Sequence, residues 1–223
     1  MIELKNITKN YEINKNNIVR AVNNINLLIK QGELIVLKGA SGSGKSTILS
    51  LIASLSKPTT GEVIVDDKRV SKLPDNFASM YRREDIGFIF QKYNLIPTLS
   101  VKENILLPLI PQNPSEKEAS KLLNNVMKKF KIEHKSDAIV KNLSGGEQQR
   151  VAIARSQINN PKIVIADEPT ANLDKELSEH FISILKELKS DDKTIIVATH
   201  DPLFFKLDFV DRVIELSNGE IVK

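Results

Sequence analysis

Apolar positions fall into short blocks whose spacing changes from one segment to the next, and this alternation predicts an α/β fold. Extended stretches at Ile2–Ile7, Val19–Val22 and Ile25–Ile29 predict an antiparallel β-layer at the N-terminus. Glu33-Leu-Ile-Val-Leu-Lys-Gly39 is a continuous apolar run ended by glycine, the pattern of a buried strand. From Ser46 to Leu55 the apolar residues Ile48, Leu49, Leu51, Ile52 and Leu55 recur at helical spacing. Further strands are predicted at Glu62–Val65, Ile86–Phe90, Lys162–Glu168 and Thr194–Thr199. Leu177, Phe181, Ile184, Leu185 and Leu188 mark a helix between the last two, and a hairpin turning at Ser217-Asn-Gly219 follows.

After Gln91 the pattern turns helical. Ser100-Val-Lys-Glu103 is a capping box. Asn113-Pro-Ser-Glu116 opens another helix, with Pro114 in its first turn and Ala119, Leu122, Leu123, Val126, Met127 and Phe130 on one stripe. The expected organisation is one domain over residues 1–223, carrying a helical insertion over about 92–160.

Composition narrows the classes. Hydrophobic residues make up 41% of 223, enough for a sizeable core. The net charge of +4 comes from 32 basic and 28 acidic residues. In the densest basic stretch, around Lys117 to Lys135, the lysines are mixed with Glu116, Glu118, Glu133 and Asp137. That is a solvated helix face, and no nucleic-acid partner is expected. The absence of cysteine excludes disulfides and thiolate-bound zinc, and the three histidines are too far apart for a local metal motif. No apolar run approaches the ~20 residues of a membrane span, and the start lacks a signal-peptide pattern, so a soluble cytoplasmic chain is expected.

Two glycine turns carry the chemistry. Gly39-Ala40-Ser41-Gly42-Ser43-Gly44-Lys45-Ser46-Thr47 is a phosphate-binding loop between a predicted strand and helix, the context this motif requires. Its amides and the helix N-terminus favour phosphate, Lys45 is placed to reach the β- and γ-phosphates, and Ser46 to offer its hydroxyl to Mg²⁺. The strand ending at Asp167-Glu168 delivers paired carboxylates: Asp167 for the Mg²⁺ shell, Glu168 to polarise an attacking water. About a hundred residues after the first turn, Leu143-Ser-Gly-Gly-Glu-Gln-Gln-Arg150 is a second one, in which Ser144 caps a helix whose amides form another anion site.

The pair of turns resembles the ATP-binding cassette (ABC) family, and the resemblance covers nearly the whole chain. It implies a P-loop NTPase core, a mostly parallel sheet flanked by helices, with an N-terminal antiparallel β-subdomain and a helical insertion. In that family Tyr11 matches the residue stacking on adenine, and Gln91 the glutamine that touches Mg²⁺ and relays contact to the membrane partner. Ser144, Gly145, Gly146 and Glu147 match the signature that closes on the γ-phosphate held by the other subunit. Ala171-Asn-Leu-Asp174 matches the loop crossing between subunits, and His200 the histidine on the γ-phosphate. The implied protein is an ATPase taking ATP and Mg²⁺, a homodimer with ATP, peripheral on the inner face of the cytoplasmic membrane beneath an integral permease. A permease-docking groove is expected beside Gln91, Tyr93 and Leu95–Leu99.

Arg82–Gln91 and Tyr93–Asn104 look like the macrolide-exporter and lipoprotein-releasing ATPases. A cell-division ATPase of the same branch, which regulates a membrane partner without transport, is the alternative. A P-loop kinase or GTPase needs neither the second turn nor His200. Ribosome-acting relatives usually carry two cassettes, and DNA-repair types a long coiled coil. No regulatory domain of the sugar-importer kind is expected after the last hairpin. The chain departs from the family after Arg155, where Ser156-Gln157 stands in place of Ala-Leu.

Overall fold

The computed structural model describes residues 1–14, 17–171 and 173–222. Strands β1 (Ile2–Asn14), β2 (Asn17–Ile29), β3 (Leu34–Lys38) and helix α1 (Lys45–Ile52) open the chain. Next come β4 (Thr60–Val65), α2 (Asp75–Asp85), β5 (Ile86–Ile89), α3 (Val101–Leu106) and α4 (Glu116–Lys129). The remainder is α5 (Gly145–Gln157), β6 (Ile163–Asp167), α6 (Lys175–Ser190), β7 (Thr194–Thr199), β8 (Arg212–Ser217) and β9 (Glu220–Ile221).

The strands form a six-stranded sheet in the order β5-β6-β7-β3-β8-β9 and an antiparallel sheet β2-β1-β4. From β5 to β8 every pairing is parallel, and only β9 runs back. The central strands are buried on both faces, which explains their unbroken apolar runs. Ile35, Leu37, Ile165 and Ile196 pack with Ile48 and Leu49 of α1 and with Ile2, Leu4 and Ile7 of the antiparallel sheet. Alternate residues of the same strands, among them Val36, Val164 and Val197, pack against Val151, Phe181 and Leu185. Register brings Lys38 beside Thr199 and Asp167 beside Ala198, so one edge of the sheet collects the strand ends where ligands bind in open parallel sheets.

Helices α3, α4 and α5 pack on one another. Capping boxes at Ser100 and Ser115 start α3 and α4, each hydroxyl accepting from the amide of the glutamate three residues on. Pro114 therefore precedes the cap of α4 instead of sitting in its first turn. On the α4 stripe Leu123 and Met127 are buried while Leu122 faces solvent.

Three elements depart from the apolar pattern. Helix α2 is too polar to show a stripe, since it buries only Ala78 and Tyr81. The N-terminal strands extend far beyond their apolar cores, because pairing along the β1–β2 ribbon continues through polar residues. The helix expected to reach Leu55 stops at Ile52: Ser54 takes a left-handed φ of 52°, the chain turns, and Leu55 is exposed.

Candidate functional site

The phosphate loop joins β3 to α1 and wraps around Lys45. The Lys45 ammonium, 5% exposed, donates to the carbonyls of Gly39 at 2.7 Å and Ala40 at 3.1 Å and lies 3.3 Å from Glu168 Oε1. Gly44 is the N-cap of α1 with φ 102°, and a Cβ there would stand 2.5 Å from the Ala21 carbonyl oxygen. Gly42 also has a positive φ, 79°, but opens onto free space. The loop is braced from outside: Gly219 N donates to Ser43 O at 3.1 Å, and Asn23 N to Gly219 O at 2.8 Å.

At the end of β6 the backbone solves a problem of alternation. Successive strand residues point to opposite faces, yet both carboxylates reach the loop, because Glu168 leaves the strand with a left-handed φ of 44°. Ser46 Oγ donates to Asp167 Oδ1 at 3.0 Å. The other oxygen of Glu168, Oε2, lies 3.3 Å from Thr199 Oγ1 and 2.9 Å from His200 Nδ1. Glu168 thus bridges Lys45 and His200. Burial pushes the Asp167 carboxyl above its ordinary range, and the Glu168 charge adds to that, while the Ser46 hydroxyl opposes it.

These groups share a cleft of about 400 Å³, lined by residues 41–47, Gln91, Glu168, His200 and the β2 residues Val19–Ala21. The sequence reading missed this β2 rim, which carries no motif and reaches the loop through long-range packing of Ala21 against Gly44. Tyr11 does not line the cleft. It stands next to it, paired with Val19 across the ribbon, with its ring half exposed beneath Lys9. Ser144–Glu147 does not line the cleft either. There Glu147 Oε2 accepts from Ser144 N at 2.8 Å and from Ser144 Oγ at 3.0 Å, and Lys135 approaches Oε1 at 3.1 Å. These contacts hold the Glu147 carboxyl at about 2, well below the usual carboxylate range. A Cβ on Gly145 would meet nothing within 4 Å, so the helix N-terminus is open to a ligand. Of the crossing loop, Asn172 lies outside the described residues, while Asp174 caps α6 by accepting from Leu177 N at 2.9 Å.

The residues fit a nucleoside triphosphate with Mg²⁺. Ser43 Oγ is buried with no hydrogen-bond partner among the described residues, a donor in the loop left for a phosphate oxygen. Ser46 and Asp167 offer the hard oxygens that Mg²⁺ takes, and a divalent cation would relieve the penalty on a half-buried Asp167 carboxylate.

A glycine loop between a central parallel strand and a helix, faced by carboxylates at the end of a strand one removed in the sheet, defines a P-loop NTPase. The family described as ABC transporter matches residues 22–171, and the chain belongs to that family. It is 44% identical, over 99% of its length and 95% of the relative, to an ABC transporter ATP-binding protein of Methanocaldococcus jannaschii. The dimeric structure of that cassette in a post-hydrolysis state, bound to ADP and Pi, superposes with a TM-score of 0.91 at 43% identity, covering 100% of this chain and 97% of that one. The chain is also 44% identical to the lipoprotein-releasing system ATP-binding protein LolD of Wigglesworthia glossinidia brevipalpis, covering 100% of this chain and 96% of LolD. Identity is 41% to the macrolide export protein MacB of Campylobacter jejuni, of which the whole chain spans 34%. The α/β P-loop architecture with its N-terminal antiparallel sheet is thus that of an ABC ATPase.

Two outcomes follow from this geometry. Gly44→Ala should lower the thermal midpoint of the nucleotide-free protein more than Gly42→Ala. Both replace a left-handed glycine, at about 1 kcal/mol, but only the former drives a Cβ into the Ala21 carbonyl. Equal midpoints in thermal melts would contradict the packing of the loop on β2. For Glu147, whose folded value is depressed, the cap's stabilisation is complete above its ordinary value and lost as pH falls through about 2. Glu147→Gln should therefore flatten the acid limb of stability, read by urea unfolding across that range.

Proposed function

We propose that two copies of this chain close on two ATP·Mg²⁺, each held by the Gly39–Thr47 loop of one copy and the Ser144–Glu147 turn of the other, and that hydrolysis drives a membrane permease. The observation carrying this reading is that the cleft has a phosphate loop, the Glu168 carboxylate and a histidine, yet the chain's second anion turn does not line it. A second copy would supply the missing wall. The dimeric ADP- and Pi-bound state of the Methanocaldococcus jannaschii cassette supports the same arrangement.

In this reading Ser46, Asp167 and Gln91 would hold Mg²⁺, which would supply positive charge to offset the charge developing on the phosphates. The remaining work falls to the chain. Loop amides, Ser43 Oγ and Lys45 take the phosphate oxygens, and Tyr11 stacks on the adenine. Glu168, which bridges Lys45 and His200, gives up these partners as the γ-phosphate takes its place between them. Its freed carboxylate then accepts a hydrogen bond from the water attacking phosphorus, while His200 steadies the phosphoryl oxygens. ATP and water become ADP and phosphate, and loss of the bridging phosphoryl group lets the halves part.

No helix among the described residues is long and apolar enough to cross a membrane. Attachment at the inner face of the membrane would come through the permease, and relatives named for lipoprotein release and macrolide export support a partner of that group. Of the apolar residues expected near the docking groove, Leu95 packs inward, Leu99 is half-buried and Ile96 alone is exposed. Asn104, fully buried, pins this segment by donating to Ile96 O at 3.0 Å and accepting from Ile96 N at 2.8 Å. The adjoining cleft of about 310 Å³ opens on the β5 side, between Arg82, Phe88, Phe90, Pro108 and Pro111.

Glu168→Gln should retain ATP binding, lose turnover by on the order of a hundredfold or more, and sediment as a dimer with ATP but as a monomer without it. Normal turnover removes Glu168 from its role; a monomer in every state removes the two-sided site. For docking, Ile96→Glu should leave basal ATPase intact and abolish stimulation by the co-purified permease. Undiminished stimulation overturns that contact.

A further inference from the structure

Helix α5 touches both catalytic loops. Near its start Gln149, 2% exposed, donates from Nε2 to the carbonyl of Pro169, the residue after Glu168, at 3.1 Å. At its far end Arg155 donates from Nη1 to Asn94 O at 2.7 Å and from Nη2 to Tyr93 O at 2.6 Å. Between these carbonyls and Gln91 lies only Lys92. The turn they belong to is strained: Tyr93 and Asn94 are consecutive non-glycine residues with φ of 59° and 49°. Such a conformation persists only where its surroundings over-determine it. A guanidinium fork fits two successive carbonyls, which an ammonium cannot do in one geometry.

The strand leading into Gln91 is gripped by the same helix. A Cβ on Gly87 would stand 2.6 Å from Ser156 O and 3.0 Å from Gln157 Nε2, so β5 lies directly against the end of α5. Gln157 is buried, and its Nε2 donates to Ser156 Oγ at 3.1 Å, while that hydroxyl donates to Ile153 O at 2.7 Å. Ser156 and Gln157 form this contact. Gln91 is therefore flanked on both sides by attachments to α5, whose N-terminus is the Ser144 turn.

We infer that Arg155 is a positioning residue for Gln91: its guanidinium holds the Tyr93–Asn94 turn, and thereby the glutamine two residues before it, at the wall of the nucleotide cleft. The helix is about 20 Å long at 1.5 Å per residue, and one guanidinium at its far end makes the attachment to the Gln91 turn. This rests on the reading of Gln91 given above.

The test compares Arg155→Met, Arg155→Lys, Gln91→Ala and the double variant Arg155→Met/Gln91→Ala in the full chain. It measures kcat, the KM for ATP, the Mg²⁺ concentration for half-maximal rate, and the thermal midpoint. The expected result for Arg155→Met is a fall in kcat of roughly 10- to 100-fold and a higher Mg²⁺ requirement, with the ATP KM within about threefold of the parent. Arg155→Lys should recover only part of the rate, and the double variant should be no slower than Gln91→Ala. Additive losses in the double variant, or unchanged kcat and Mg²⁺ dependence in Arg155→Met, overturn the inference while leaving Gln91 in place. A Gln91→Ala variant with normal kcat and Mg²⁺ dependence would remove the role of Gln91 itself and the inference with it. If Arg155→Met does not fold, Arg155→Lys decides: full rate at ordinary Mg²⁺ overturns the inference, and a raised Mg²⁺ requirement at an unchanged thermal midpoint supports it.

Discussion

A buried ammonium ion left without oxygen partners would cost several kcal/mol, and the site is built so that Lys45 never lacks them. Gly39 and Ala40 turn their carbonyls inward because the loop bends around the side chain, and Glu168 supplies the opposing charge. The loop, the left-handed turn at Glu168 and the reach of His200 all converge on that one cation. In the proposed reading an incoming phosphate would exchange one anion for another around Lys45 instead of charging an empty pocket.

The second constraint is the placement of carboxylates on a parallel sheet. Asp167 is half-buried and its ionised form disfavoured, and the charge of Glu168 next to it adds to the penalty. In most proteins such a pair would be a defect. Here each carboxylate has a neutral or cationic neighbour, Ser46 for one and Lys45 with His200 for the other, and a divalent ion would complete the balance. Helix α5 ties this centre to the rest of the chain, reaching Pro169 at one end and the Tyr93–Asn94 turn at the other.

Much of this was legible in the sequence because the chemistry needs fixed residue types at fixed spacing. The loop at 39–47, the Asp167-Glu168 strand end and the Ser144 capping box all appear where their residues indicate. What could not be read follows from the same physics. Helix α2 buries too few residues to leave a stripe. Val19, Arg20 and Ala21 reach the cleft through long-range packing, which local sequence does not encode. The left-handed backbone at Tyr93 and Glu168 belongs to residue types that rarely adopt it, so no composition rule would place it there. Arg155 resembled any arginine on an amphipathic helix until its two carbonyl partners were in place.

The brace between Gly219 and the phosphate loop has a bearing on how the protein is born. Ser43 offers its carbonyl to the amide of Gly219, whose own carbonyl is held by Asn23, and Gly39 packs so tightly beneath Leu216 that a methyl group would not fit. The loop is thus finished by residues synthesised some 170 positions later. A chain still emerging from the ribosome can form the local strand–turn–helix but lacks the hairpin that fixes the loop's outer wall. The strand–turn–helix that carries the loop is local in sequence, whereas its outer wall is a long-range contact, so the loop's shape depends on the hairpin being in place.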